Sequence, residues 1–560
     1  MDGLARRSLG GNMLYPTRRL LLSGIGALTL EASARIEPDC ILYNAMIWTV
    51  DPSQPQAQAL AIAGGRILAV GSDDFILAMA TARTRKIDAE GKRVTPGFID
   101  AHAHPIESGL DFLRNVDCGL SSIDAIKAAI RARADKTPPG AWVRGFLYDD
   151  GKTPRPLNIT DLDEAAPRNP VAVAHRGGHS LFLNTMAMTL AGYGRATPSP
   201  PHGLIEHDTN GNLTGKIADD ATDPVARLSA DKPTRDNYRD AAMLISKRAA
   251  ARGVTSVCDA LGDADGLRGY RDAAAAGGPP QTRTYCNISA KAIAPFLEAG
   301  VSTGFGDDQV RLGAVKFFSD GSISERTAWL SQPYEDSDYH GVQVGTREDI
   351  HALAAKVHQA GWQLATHANG DLAIDETLGI YEQIQRDFPR PDARYRIEHC
   401  TVVNPALIAR IKALNAVPIP FSGYVYFHGD VMHFYGEERV KHMFAMRDFL
   451  DAGIPVPDSS DFTASPIDPP MWLQSQVTRT DPTGHVWGAN QRISVAEAVR
   501  CGTLNGAFSM FQEDAKGSLA PGKLADLVIW DRDMFATDPS ELIKISPRRT
   551  MIGGKWAYEA

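Results

Sequence analysis

Two kinds of hydrophobic pattern alternate along this chain. Near its start, CILYNAMIWTV (40–50) and QALAIAGGRILAV (58–70) are apolar, β-branched runs separated by Pro52 and Pro55 and turned at Gly64-Gly65, the marks of antiparallel strands. Near its end, DLVIWD (526–531) and TMIGGKWAY (550–558) repeat that character after the Gly/Pro-rich stretch 517–522. Two terminal strand groups around one long middle predict a small composite β-sandwich built from both chain termini, 36–93 with 515–560.

The middle, 94–514, switches between short apolar runs and helix-like stretches such as 349–360 and 373–386, the pattern of βα units on a parallel sheet. The strand candidates are 94–104, 254–260, 283–289, 310–320, 363–369, 395–402, 417–421 and 454–461. That count predicts an α/β fold closed as a (β/α)8 TIM-like barrel. The gap between the first two strands is too long for an ordinary βα connection and predicts an inserted subdomain at about 106–245. Within it, 122–135 reads as a helix, 197–201 as a Pro-rich loop, and 203–217 as a hairpin turned at Asn210-Gly211.

Residues 1–35 fit neither pattern. Arg18-Arg19 precede an apolar run from Leu20 to Leu30, and Ala32-Ser33-Ala34 has the form of a leader cleavage site. This resembles a twin-arginine export leader and implies a periplasmic or secreted protein, the alternative being a cytoplasmic chain with a basic tail. The run is too short to span a membrane, so no membrane anchor is expected in the mature chain.

Composition changes the picture in two respects. A net charge of −9 with no basic block argues against nucleic acid as a partner and leaves a small-molecule substrate. The six cysteines lie far apart with no C-x-x-C pair, which predicts buried free thiols. The oligomeric state stays open, a homodimer included.

Candidate chemistry collects at the carboxyl ends of the strands. In FIDAHAHP, alternation puts His102 and His104 on one side of the first strand, where two imidazoles can grip one ion. His367 and His399 end the fifth and sixth strands. Asp461 ends the eighth, where a carboxylate can touch a metal and take a proton from its bound water; Asp458 takes that place if the strand ends earlier. Lys316, set between Val315 and Phe317 on the fourth strand, cannot ligate a cation as an ammonium. It is either paired with Asp320 or another carboxylate, or carboxylated by CO₂ into an anionic oxygen ligand.

These residues sit in motifs that resemble the amidohydrolase superfamily, in its N-substituted formamide deformylase-like and YtcJ-like branch, amidohydrolase family 3. The motifs are VTPGFIDAHAHP (94–105), AVAHRGGHSLFLN (172–184), VKFFSDGSISERTAWL (315–330), QLATHANGD (363–371), RIEHC (396–400), SSDF (459–462) and GSLAPGKLADLVIWDRD (517–533). The resemblance implies metal ligation by His102, His104, His367, His399 and Asp461, with Asp461 also moving protons and an N6-carboxylated Lys316 as a bridge. The metal it implies is zinc, one ion or two. His179 is a candidate substrate contact from the insert, or a structural histidine. Asp320 and Arg326 are candidates to orient a substrate carbonyl, or to cap a helix. The aromatic loop 423–435 is a candidate lid over an apolar substrate.

The reaction expected is metal-dependent hydrolysis of a non-peptide C–N bond in an N-acyl, formamide-type or cyclic amide. The rivals are ester or lactone hydrolysis at the same site, and a metal-binding regulatory protein without turnover.

Overall fold

The computed structural model describes residues 36–201, 203–229 and 232–560. The export leader expected at 1–35 lies outside the described residues. Among them, no helix is long and apolar enough to cross a membrane.

The centre is a parallel sheet of seven strands. In spatial order they are Phe98–Ala103, Val254–Gly262, Arg283–Ser289, Val310–Phe318, Leu364–Ala368, Arg396–His399 and Val417–Ile419. The segment expected to be the eighth strand does not form a ladder. It is extended chain in the gap between the outermost two strands, where Ala101 N–H donates to Asp458 O (2.9 Å), Asp461 N–H to His102 O (2.8 Å) and Ser422 N–H to Ser459 O (3.0 Å). These bonds bring the barrel nearly to closure. Their irregular spacing follows from the left-handed φ of 52° at Asp461, which a continuous strand does not allow.

The first expected strand, 94–104, is two. Arg93–Pro96 belongs to a terminal sheet and Phe98–Ala103 to the barrel. Gly97 lies at the break, where a β-carbon would fall 2.2 Å from Thr255 Oγ1. Only a residue without a side chain lets the two backbones approach so closely.

The terminal segments form two facing sheets. One orders Arg66–Gly71, Ala59–Ala63, Cys40–Tyr43 and Arg85–Asp88; the other orders Lys555–Glu559, Pro547–Ile552, Leu527–Trp530, Arg93–Pro96, Met46–Trp48 and Gln56–Ala57. The second mixes strands from both ends of the chain. Leu42, Ile47, Leu60, Ile62, Val94, Leu527 and Met551 fill the space between the sheets. The sandwich is tied to the barrel by Arg283, whose Nε and Nη2 donate to the Asp526 carboxylate at 2.7 and 2.9 Å in a buried bidentate pair.

Between the first two barrel strands, the chain leaves through helix Pro105–Arg114 and returns through helix Arg235–Ala250. What lies between folds on its own sheet, ordered Gly203–His207, Leu213–Asp219, Ser180–Leu183, Val171–His175, Val143–Tyr148 and Val116–Asp117. The first two pair as the expected hairpin, with Gly211 at a φ of +76° in its turn. Helix Ile123–Ala134 starts where Ser122 caps the amide of Ala125. All six cysteines are free and buried.

Candidate metal centre

Each site residue is set by a strand end. His102 lies where the ladder between the first two barrel strands slips, between Asp100 and Ala103, so a local bulge aims it. His399 has a φ of 70° and Cys400 a φ of 43°, which ends the sixth strand and breaks its alternation. Left-handed backbone at non-glycine residues costs about 1–3 kcal/mol each and collects at functional sites.

The imidazoles gather in a chain. Ring centroids are 5.4 Å apart for His102 and His104, 4.7 Å for His102 and His399, and 4.5 Å for His367 and His399. Phe421 stacks on His399 at 4.3 Å and fixes its plane. Asp461 Oδ1 lies 3.3 Å from His102 Nε2 and 3.2 Å from His104 Nε2. One ligand atom each from His102, His399 and Asp461 fall within 4.8 Å of one another. His367 Nε2 donates to Gly321 O at 3.0 Å, which leaves Nδ1 as its nitrogen with a lone pair to offer.

A divalent cation fits these residues. His102 Nε2 and His399 Nδ1 are buried and have no hydrogen-bond partner, a cost that native structures rarely leave unmet. Nitrogen and carboxylate donors around one point are the set that zinc and similar ions take. Burial, together with the neighbouring imidazoles His367 and His102, holds His399 well below the usual histidine range and so in its neutral, ligating form. Burial alone would raise Asp461, but the close approach of the His102 and His104 imidazoles outweighs it and keeps its carboxyl well below the ordinary value. Beside His104 opens a cleft of about 320 Å³, walled by Glu107, Asp111, Tyr238, Asp259 and Leu261 among others. That volume is at the lower end for a small-molecule site.

The Amidohydrolase family model matches residues 85–558. The chain belongs to the amidohydrolase family. This amidohydrolase is 30% identical to the N-substituted formamide deformylase of Arthrobacter pascens over 540 residues, covering 93% of this chain and 98% of that protein. It is 29% identical to YtcJ of Bacillus subtilis (strain 168) over 540 residues, covering 93% and 99%. Its fold matches an uncharacterized metal-dependent hydrolase from Pyrococcus horikoshii OT3 with a TM-score of 0.74 at 23% identity, over 89% of this chain and 99% of that one.

The other sequence candidates fall in different places. Lys316 of this amidohydrolase is buried beside the histidines, with its Nζ 4.9 Å from the Phe318 ring centroid. Among the described residues no carboxylate lies within ion-pair distance of it. The pairing with Asp320 is absent because the Asp320 carboxylate is committed elsewhere. It accepts the backbone N–H groups of Asn369 (2.9 Å), Gly370 (2.8 Å) and Trp329 (2.9 Å). Asp320 is therefore a buried brace beneath the site, and neither a helix cap nor a group open to substrate. Arg326 is exposed and stacks on Phe434 at 4.4 Å. His179 Nδ1 bonds Asp219 Oδ1 at 3.1 Å on the inserted sheet. Asp458 is buried below the histidines and accepts from Ser422 Oγ at 2.9 Å. The segment 423–435 contributes to the core: Tyr424, Val425, Met432 and Tyr435 pack with Ile323, Leu330 and Phe444. Of its aromatics, Phe427 faces the cations Lys152 and Arg176, and Phe434 faces Arg326.

Sequence reasoning passed over two residues at this centre. Glu398 and Arg396 are fully buried in the sixth strand, Glu398 bonded to His102 Nδ1 and Arg396 to Glu398. The signal was present in RIEHC: two charged residues two apart share one face of a strand that is otherwise apolar.

Proposed function

We propose that this amidohydrolase cleaves a non-peptide C–N bond in an N-acyl, formamide-type or cyclic amide, at a divalent metal held by His102, His399 and Asp461 with His104 and His367 alongside. The observation that carries this reading is the convergence of three ligand atoms within 4.8 Å, with His102 Nε2 buried and unpartnered. The relative named N-substituted formamide deformylase supports the bond type.

A zinc-like ion there would supply Lewis acidity and lower the pKa of a bound water towards roughly 7. The protein's part is proton handling and alignment. Asp461 Oδ1, bonded to His104 Nε2 at 3.2 Å, is placed to accept the proton of the attacking water and return it to the leaving nitrogen. Asp461 N–H, held by His102 O, keeps that carboxylate over the histidines. The cleft beside His104 gives the acyl or amine part of a substrate somewhere to lie. Lys316, buried and with no carboxylate in ion-pair distance among the described residues, is the residue on which CO₂ would form a carbamate, adding an anionic oxygen for a second ion.

The test is elemental analysis of the purified protein, followed by a screen of N-substituted formamides, N-acyl amino acids, hydantoins and lactones. Asp461→Asn should lower kcat by about 10²–10⁴. Near-normal turnover of that variant with metal retained would remove Asp461 from its role. Turnover of lactones alone would move the activity to the ester class.

A further inference from the structure

Arg396, Glu398 and His102 form a line of three fully buried polar groups inside the barrel. Arg396 Nε donates to Glu398 Oε1 at 2.6 Å and Nη2 to Oε2 at 3.2 Å. The same Nη2 donates to Ala101 O at 2.7 Å, the carbonyl just before His102, so the arginine fastens the sixth strand to the first. Glu398 Oε2 meets His102 Nδ1. On its other side His102 presents Nε2, 3.3 Å from Asp461 Oδ1.

We propose that Glu398, clamped by Arg396, sets the tautomer of His102 and thereby makes it a metal ligand. An arginine is protonated in proteins, and its two-pronged contact keeps Glu398 ionised. An ionised carboxylate only accepts, so the hydrogen of His102 is held on Nδ1 and the lone pair on Nε2. The competitor is Asp461. Without Glu398, the imidazole gains most by placing its hydrogen on Nε2 and donating it to Asp461 Oδ1. That arrangement would hide two ligands in one hydrogen bond. Glu398 is thus a positioning residue, and the buried charge pair is the means by which the apoprotein keeps an empty coordination direction open. The cost of burying the pair is met by its bidentate geometry and by the Ala101 carbonyl.

The inference rests on the metal centre proposed above, and two measurements separate them. In Glu398→Gln the amide oxygen can still accept from Arg396 while its NH₂ faces His102 Nδ1, which then must accept and pushes the hydrogen to Nε2. Zinc affinity should fall about 10–100-fold. In a His102→Ala background the same substitution should leave zinc affinity unchanged; an equal loss in both backgrounds, or no loss in either, overturns the proposal. On metal-free protein labelled with ¹⁵N-histidine, the His102 signals should report hydrogen on Nδ1 in the wild type and on Nε2 in the variant. A wild-type hydrogen on Nε2 also overturns it. If the wild type shows hydrogen on Nδ1 yet binds no zinc, the metal reading fails, and the role of Glu398 as a ligand-maker falls with it. Should Glu398→Gln not fold, Glu398→Asp keeps the charge, draws the carboxylate back by one methylene, and enters the same cycle with the same expected direction.

Discussion

At the scale of single residues, what a side chain does here is decided by which of its atoms are already taken. Asp320 looks like a substrate contact when read beside Gly321 and Arg326, but three backbone amides claim its oxygens. Two of them arrive from Asn369 and Gly370, far along the chain, which no local pattern reveals. Asp320→Ala should therefore cost roughly 3–5 kcal/mol of stability, since each abandoned buried N–H costs about 1–3 kcal/mol. Arg326→Ala, which loses one exposed cation–π contact, should cost no more than about 1 kcal/mol. Urea unfolding of the two variants checks the contrast; equal effects would mean the brace is not carrying the loop. Lys316 is the opposite case, a buried amine with no carboxylate within ion-pair distance among the described residues. If it takes up CO₂, reconstitution with zinc and bicarbonate should raise the metal content from about one to about two per chain, and Lys316→Met should hold it near one whatever the bicarbonate. Elemental analysis reads both.

At the scale of elements, seven of the eight strands were legible because an apolar run buried on both faces is a strong signal whatever its neighbours. The HxH pair and the strand-end histidines were legible for the same reason. The eighth segment was not, because its hydrogen bonds with Ala101, His102 and Ser422 fall at uneven intervals and its last residue turns left-handed. Nor was the break within 94–104, since VTPGFIDAH is apolar on both sides of Gly97 and only the nearness of Thr255 shows why the strand must end there. Glu398 stayed hidden because its role depends on the register of the sixth strand against the first across the barrel. Gly97→Ala tests the reading of the break. A β-carbon 2.2–2.7 Å from Thr255 forces the sandwich strand and the barrel strand apart, at a cost of about 1–3 kcal/mol and a lower Tm. Thr255→Gly in the same chain should return part of that loss, and its failure to do so would place the strain elsewhere.

At the scale of the whole molecule, the inserted sheet is held against the barrel loops, and one contact that does so carries charge. His175, at the end of an inserted strand, has Nε2 3.3 Å from Asp150 Oδ1 and Nδ1 3.5 Å from Glu325 Oε1, the latter on the loop after the fourth barrel strand. Gly177 packs so tightly on Glu325 that a β-carbon would fall 1.8 Å from Oε1. Lys216 and Arg176 stand 3.9 Å from Asp150 and Asp149 and share the cluster. Burial works against a charge on His175, but the neighbouring carboxylates of Asp150 and Glu325 prevail and raise it to about 9. In the unfolded chain the same group titrates near 6.5. Folding therefore takes up a proton between those values, and the stabilisation is whole below about pH 6.5 and disappears as pH rises through about 9. The insert should loosen from the barrel over that window while the barrel itself holds. Hydrogen exchange, corrected for its intrinsic pH dependence, should show protection falling at 171–183 and 322–327 before it falls in the barrel strands, and Glu325→Gln should flatten the change. Uniform loss of protection across both regions would mean that the two bodies open as one and that His175 is not the link.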